Sequence, residues 1–210
     1  MKSINFKDTT IYDFHKSLMV YYDLCKKKQK KHSGSWFKTV KNIHIPEFVV
    51  KKSIMEDRTI LRDKNWGTKA KWRDYMKQKG YNKDNTKMFM VDHDKLPRSL
   101  IQTLKKLPIK NPVFSLNIQP PGATVPAHED TWRIWYDKNP KLAKKYTFED
   151  TCFYIVFITE QATGHTFSAG NMNVSWQPGD VIEMPHYTNH ATSNASFVPK
   201  MLVQCLGLRK

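Results

Sequence analysis

The stretch Val125-Pro126-Ala127-His128-Glu129-Asp130 sets an imidazole and a carboxylate two positions apart. On an extended strand alternate side chains project from the same face, so His128 and Asp130 can address one common atom. A second imidazole, His190, stands far downstream, after Trp176-Gln177-Pro178-Gly179-Asp180 and Pro185-His186. Two histidines and one carboxylate, with half a coordination sphere left open, form the facial triad that suits non-heme Fe(II). A His-x-Asp alone arises by chance beside many acidic turns. The segments around it carry the reading.

Those segments are strand-like. An apolar run, Val113-Phe114-Ser115-Leu116-Asn117-Ile118, precedes a Pro120-Pro121-Gly122 turn and the His128 arm. Beyond His190, Lys200 introduces a second run, Met201-Leu202-Val203-Gln204-Cys205-Leu206. Alternation and turn residues predict strands over 113–119, 123–127, 152–159, 164–168, 172–176, 181–184 and 199–206. The fold class expected is α+β, mainly β. It is a double-stranded β-helix of jelly-roll or cupin-like type, with the triad at the barrel mouth and N-terminal helices packed on it. The expected division is a basic, helix-rich region over 1–110 and a catalytic core over 111–210. Residues 131–150, with Trp132, Arg133, Trp135 and Tyr136, interrupt the strands. They either flank the pocket or make a surface excursion with buried tryptophans.

Residues 112–208 resemble the aspartyl/asparaginyl β-hydroxylase group of 2-oxoglutarate-dependent oxygenases. The likeness rests on Phe114-Ser115, Pro121-Gly122, Val125 to His128, Trp176-x-x-Gly179, His190 and a cation ten residues after it. The resemblance implies that His128 and His190 bind Fe(II), and that Ser115 and Lys200 help to hold the carboxylates of 2-oxoglutarate. It further implies an O2-dependent hydroxylation that converts 2-oxoglutarate to succinate and CO2, with an amino-acid side chain of a protein or peptide as the target. This chain departs from the group in two ways. Asp130 stands where those proteins have a small residue, and Lys200 stands where they have Arg. A lysine meets a carboxylate as a point charge rather than a planar fork. Thr192 and Asn117 are further candidates for hydrogen bonds to the co-substrate. His186 competes with His190, but the spacing from Gly179 favours His190. His165, at a turn, is expected to be exposed rather than ligating.

The remaining sequence bounds the setting. The net charge is +16, and residues 1–110 hold all of it, with 27 Lys and Arg against 11 Asp and Glu; residues 111–210 hold 8 against 8. A basic half can meet nucleic acid or another anionic surface. Lysine-rich helix ends in water explain the same excess more simply, so nucleic acid is not the favoured partner. Three cysteines, Cys25, Cys152 and Cys205, suit neither a disulfide framework nor a zinc site. With no long apolar segment and no apolar core at the N-terminus, a cytoplasmic protein without membrane contact is expected. Helical spacing covers 10–32, with Ile11, Phe14, Leu18, Tyr21, Tyr22 and Cys25 on one face, and again 68–78, with Trp72, Tyr75 and Met76. Lysines and aromatics between Trp66 and Tyr81 either stack bases or belong to an amphipathic helix over the barrel, the reading favoured here. Leu96-Pro97 opens a helix whose leucines are core. The competing function is a cupin-like metal or small-molecule binding module, but the three or four histidines and glutamate of such a site are not visible. A third reading anchors a hydroxylase to nucleic acid or a ribonucleoprotein through the basic half.

Overall fold

The computed structural model describes residues 4–60 and 70–210. In chain order its elements are α1 (Ile11–Lys16), α2 (Leu18–Lys31), β1 (Lys38–Asn42), β2 (Glu56–Asp57), α3 (Ala70–Gln78), β3 (Phe89–Asp92), α4 (Arg98–Leu104), β4 (Ile109–Gln119), β5 (Ala123–His128), α5 (Arg133–Lys138), α6 (Pro140–Ala143), β6 (Thr151–Phe157), β7 (His165–Ala169), β8 (Met172–Asn173), β9 (Asp180–Met184), β10 (His190–Asn194) and β11 (Lys200–Arg209). The strands form two sheets, one of order β1-β9-β6-β11-β4-β3-β2 and one of order β5-β10-β7-β8. Every pairing is antiparallel. From β4 onward the chain passes back and forth between the sheets, which makes a jelly-roll of cupin type. The fold is mainly β, as the strand signals predict.

Side-chain alternation divides the large sheet into two faces. Val113, Phe153, Ile155, Phe157, Ile182, Met184, Leu202 and Leu206 pack inward with Phe167 and Ala169 of the small sheet. Their neighbours Phe114, Leu116, Ile118, Tyr154, Val156, Val203 and Cys205 face outward, where Leu100, Leu104 and Leu107 cover them. The helix after Pro97 therefore holds core leucines, as its spacing predicts. The other end of the inner core is closed by the N-terminal segment. Phe6, Ile11, Phe14, Tyr21 and Cys25 join Phe148, Trp132 and Trp135 in one cluster with the barrel interior.

Several expectations shift. The helix over 10–32 is two helices that break at Ser17; Thr10 caps the first, its Oγ1 accepting the Asp13 N–H at 3.2 Å. Residues 1–110 add β1, β2 and β3 to the large sheet, so this half supplies strands as well as helices. Tyr75 is exposed while Met76 is buried, so the two do not share a covered face. Trp66, Thr68 and Lys69 lie outside the described residues. The interruption at 131–150 folds into α5 and α6, with Trp132 and Trp135 both buried. The three cysteines are buried and unpaired. Among the described residues no helix is long and apolar enough to cross a membrane.

Candidate metal centre

One irregularity sets up the site. The β5–β10 ladder runs in register from Ala123–Asn194 to Val125–Thr192 and then slips, so that His128 lies opposite His190. An unbroken ladder would have put Ala127 there. Pro126 cannot donate to the ladder, and the extra residue beside it is a β-bulge. Because side chains alternate, the one-residue insertion also turns His128 to the inner face that Val125 occupies. The rings of His128 and His190 stand 4.4 Å apart between centroids.

β5 ends at His128, so Asp130 is not held by strand geometry as its spacing suggests. It is held by two other side chains. Gln204, on the inner face of β11, donates its Nε2–H to Asp130 Oδ2 at 2.7 Å. Tyr21 of α2 donates its hydroxyl to the Asp130 backbone oxygen at 2.9 Å. Asp130 Oδ2 then lies 3.4 Å from His190 Nε2. The candidate ligand atoms of His128, Asp130 and His190 all fall within 4.8 Å of one another. The neighbouring Glu129 is drawn away, its Oε1 accepting from Gln29 at 2.8 Å and from Asn189 at 3.0 Å.

The tautomers fit a metal. His128 Nδ1 lies 2.8 Å from the Pro126 carbonyl oxygen and His190 Nδ1 lies 3.1 Å from that of Thr188. An Nδ1–H on each ring donates there, which leaves Nε2 as the nitrogen each presents to an ion. Burial, with the neighbouring His190, pushes the His128 imidazole down to about 4, so it is neutral near pH 7. Two imidazole nitrogens and a carboxylate, gathered on one side, make a donor set that could hold a metal ion. Phe153 and Phe167 pack against the His190 ring, with centroids 5.8 and 5.9 Å away. Trp132, from the 131–150 interruption, reaches the Phe153 ring at 6.5 Å, so that segment lies beside the centre.

Lys200 starts β11 in the large sheet, and its Nζ crosses to the small one. It donates to Thr166 O at 2.7 Å, to Ser193 O at 2.7 Å and to Thr192 Oγ1. All three acceptors are uncharged, and the residue is 2% exposed. Burial lowers this ammonium from its ordinary range to about 7. Thr192 is two residues along β10 from His190, a rise of about 7 Å. Lys200 and Thr192 therefore meet two residues along the strand from His190. Ser115 and Asn117 share the inner face but sit elsewhere on it. Ser115 lies opposite Gln204 and Asp92, and Asn117 opposite Leu202 and Met90.

The other histidines stand apart from the cluster. His186 is buried between Phe6 and Phe148, at 4.4 and 4.8 Å between centroids. Neither of its nitrogens has a hydrogen-bond partner among the described residues. His165 is buried rather than exposed, a correction to the turn reading. It sits opposite Asn194, and Ser196 Oγ lies 2.9 Å from its Nε2.

Gln204 and Gln119 escape the sequence reading. Gln119 lies opposite Lys200, donates to Thr192 O at 3.1 Å and accepts from Thr192 Oγ1 at 3.3 Å. The available signal was a polar residue at an inward position of an apolar strand. Replacing Gln204 with Leu should lower metal affinity tenfold to a hundredfold, the usual effect of removing a partner that orients a ligand. A competition titration against a chromophoric chelator measures this, and unchanged affinity would remove Gln204 from the centre.

No family model matches the chain, and no curated protein does. Among solved structures it is similar to a predicted oxalate decarboxylase from Thermotoga maritima, at 14% identity and TM-score 0.36, over 58% of this chain and 81% of that one. It is also similar to a Cupin 2 conserved barrel domain protein from Salinispora arenicola, at 11% identity and TM-score 0.35, over 59% and 77%. A third, the ribosomal oxygenase YcfD from Escherichia coli, gives 14% identity and TM-score 0.38, over 62% of this chain and 33% of that one. Nothing about activity follows from likenesses of this size; the fold assignment rests on the strand order itself.

Proposed function

We propose that this protein is an Fe(II)- and 2-oxoglutarate-dependent dioxygenase that hydroxylates a C–H bond. The observation that carries the proposal is the convergence of His128, Asp130 and His190, with ligand atoms within 4.8 Å of one another. Ferrous iron bound there, with 2-oxoglutarate and O2, supplies the oxidising power for hydroxylation and releases succinate and CO2.

The chain's own residues do the positioning. His128 and His190 offer Nε2, each ring fixed through Nδ1 by a backbone carbonyl. Asp130 supplies the single negative charge, and Gln204 sets the rotation of its carboxylate. Phe153 and Phe167 keep water from one side of His190. Lys200 is the receptor for the distal carboxylate of 2-oxoglutarate, with Thr192 as its neighbour. A buried ammonium with only neutral acceptors has desolvation that an anion would offset. Ser115 and Asn117, further along the inner face of β4, are the remaining polar candidates for the co-substrate. The resemblance of residues 112–208 to the β-hydroxylase group supports an amino-acid side chain as the target.

Under anaerobic conditions, Fe(II) and 2-oxoglutarate added together to the protein should produce a weak visible charge-transfer band that neither produces alone. No band at saturating concentrations of both would remove this function.

A further inference from the structure

α2 makes the only helix contacts that join the two metal-bearing segments among the hydrogen bonds of the described residues. The Tyr21 hydroxyl donates to the backbone oxygen of Asp130 at 2.9 Å and to that of His186 at 3.2 Å. Two turns further along, Gln29 Nε2 donates to Glu129 Oε1 at 2.8 Å and to the Tyr187 backbone oxygen at 2.8 Å. Both side chains therefore bridge the same two stretches, 129–130 and 186–187. Just beyond the second stretch, Asn189 Nδ2 donates to Glu129 Oε1 at 3.0 Å, and His190 Nε2 lies 3.4 Å from Asp130 Oδ2. Asp130 belongs to the first stretch, the second leads three residues on to His190 at the start of β10, and neither Asp130 nor the 186–187 segment lies in a strand.

We infer that Tyr21 and Gln29 are positioning residues that latch the Asp130 arm to the His190 arm, so that α2 sets the metal geometry. The inference rests on the function proposed above. Tyr21 is 1% exposed and anchored by rings on several sides, with Phe148 at 4.9 Å and Phe14 at 5.8 Å between centroids. A hydroxyl carried on so rigid a ring fixes backbone position more tightly than a mobile side chain would. The Gln29 bridge also has a second effect. It holds the Glu129 carboxylate away from the centre, so the acid that enters the ligand set is Asp130. Asp130 thus owes its place to α2 and Gln204, where the sequence spacing credits a strand.

The test uses the full chain and Co(II) as the probe. Tyr21→Phe removes one oxygen and keeps the ring packing. It should lower Co(II) affinity about tenfold and alter the visible ligand-field bands, the size expected when an outer partner of a ligand is lost. Gln29→Met, at a partly exposed helix position, should fold and should lower affinity in the same direction. Both changes loosen the same pair of segments, so the double variant should lose less than the product of the single losses. A merely structural role would lower the melting temperature and leave the Co(II) affinity and bands of the folded protein unchanged. Wild-type affinity and spectrum in both variants would overturn the latch while the metal centre stands. A wild type that takes up no Co(II) would overturn the centre and the latch together.

Discussion

Replacing His190 with alanine is expected to abolish tight metal binding, while replacing His186 with phenylalanine leaves it intact. The two positions are four residues apart in Pro185-His186-Tyr187-Thr188-Asn189-His190, so the pair discriminates between the histidines that compete in the sequence. His190 Nε2 lies 3.4 Å from Asp130 Oδ2, and its ring stands across a bulge from His128. Losing a ligand should cost more than the tenfold to hundredfold loss typical of an outer partner, so the affinity change should exceed about a hundredfold. His186, in contrast, has its ring among Phe6, Phe148 and Tyr187, and neither nitrogen has a partner among the described residues. Burial drives its imidazole down to about 3, so it is neutral and makes no use of its polarity. A buried polar group without a partner is costly, and a phenyl ring of similar shape removes that cost. His186→Phe should therefore bind metal like wild type and melt no lower. Isothermal titration with Co(II) and a thermal scan of each metal-free protein give both results. Metal loss in His186→Phe, or its retention in His190→Ala, would reassign the ligand set.

Lys200→Met is expected to produce the second large effect, in two separate measurements. Affinity for 2-oxoglutarate should fall tenfold to a hundredfold, as for a charge-assisted hydrogen bond worth roughly 1.5–3 kcal/mol. Metal affinity should stay within about a factor of two or three of wild type, because Lys200 lies beyond Thr192 rather than against the ligands. Equal loss of both would mean that Lys200 holds the barrel rather than the co-substrate. The other measurement is stability against pH. Burial lowers the folded-state ammonium from about 10.5 to about 7. Between those values the unfolded chain keeps the proton that the folded chain has lost. Stability rises with pH wherever the unfolded state binds more protons, by up to about 1.4 kcal/mol per pH unit for one group. Wild type should therefore gain stability relative to Lys200→Met as the pH climbs from 7 toward 10, with no such gain below 7. Denaturant titrations at several pH values read this difference directly. Bound 2-oxoglutarate should shift the rise to higher pH, since a carboxylate favours the charged ammonium.

The barrel's central strands were legible because their signals are local. Val113 to Ile118 and Met201 to Leu206 are apolar runs long enough to mark two central strands buried on both faces. The strand carrying His190 was not legible. His190-Ala191-Thr192-Ser193-Asn194 shows no apolar alternation, because its inward positions are occupied by the site itself. A strand that serves chemistry on its buried face loses the pattern by which strands are read. Gln204 was hidden for the opposite reason: the apolar residues around it make a complete strand signal without it. Ser17 and the helices after Trp132 depend on backbone geometry with no composition signal, Trp132 itself having a positive φ of 58°. His165 was misjudged since Gly164 marks a turn correctly but says nothing about what folds over it.

The place of β11 in the large sheet has a kinetic side. β11 lies between β6 and β4, paired with β4 from Arg209–Ile109 to Lys200–Gln119 and with β6 from Leu208–Thr151 to Leu202–Phe157. Neither neighbour can complete its ladder by local hairpin formation, so the sheet's centre must wait for a segment made much later in synthesis. Until then β4 and β6 present bare, apolar edges, the kind of surface on which chains stick to one another. Such remote pairing also slows collapse to the native topology. The same insertion that delivers Gln204 and Lys200 to the site is therefore the step at which this chain is most exposed to misassembly.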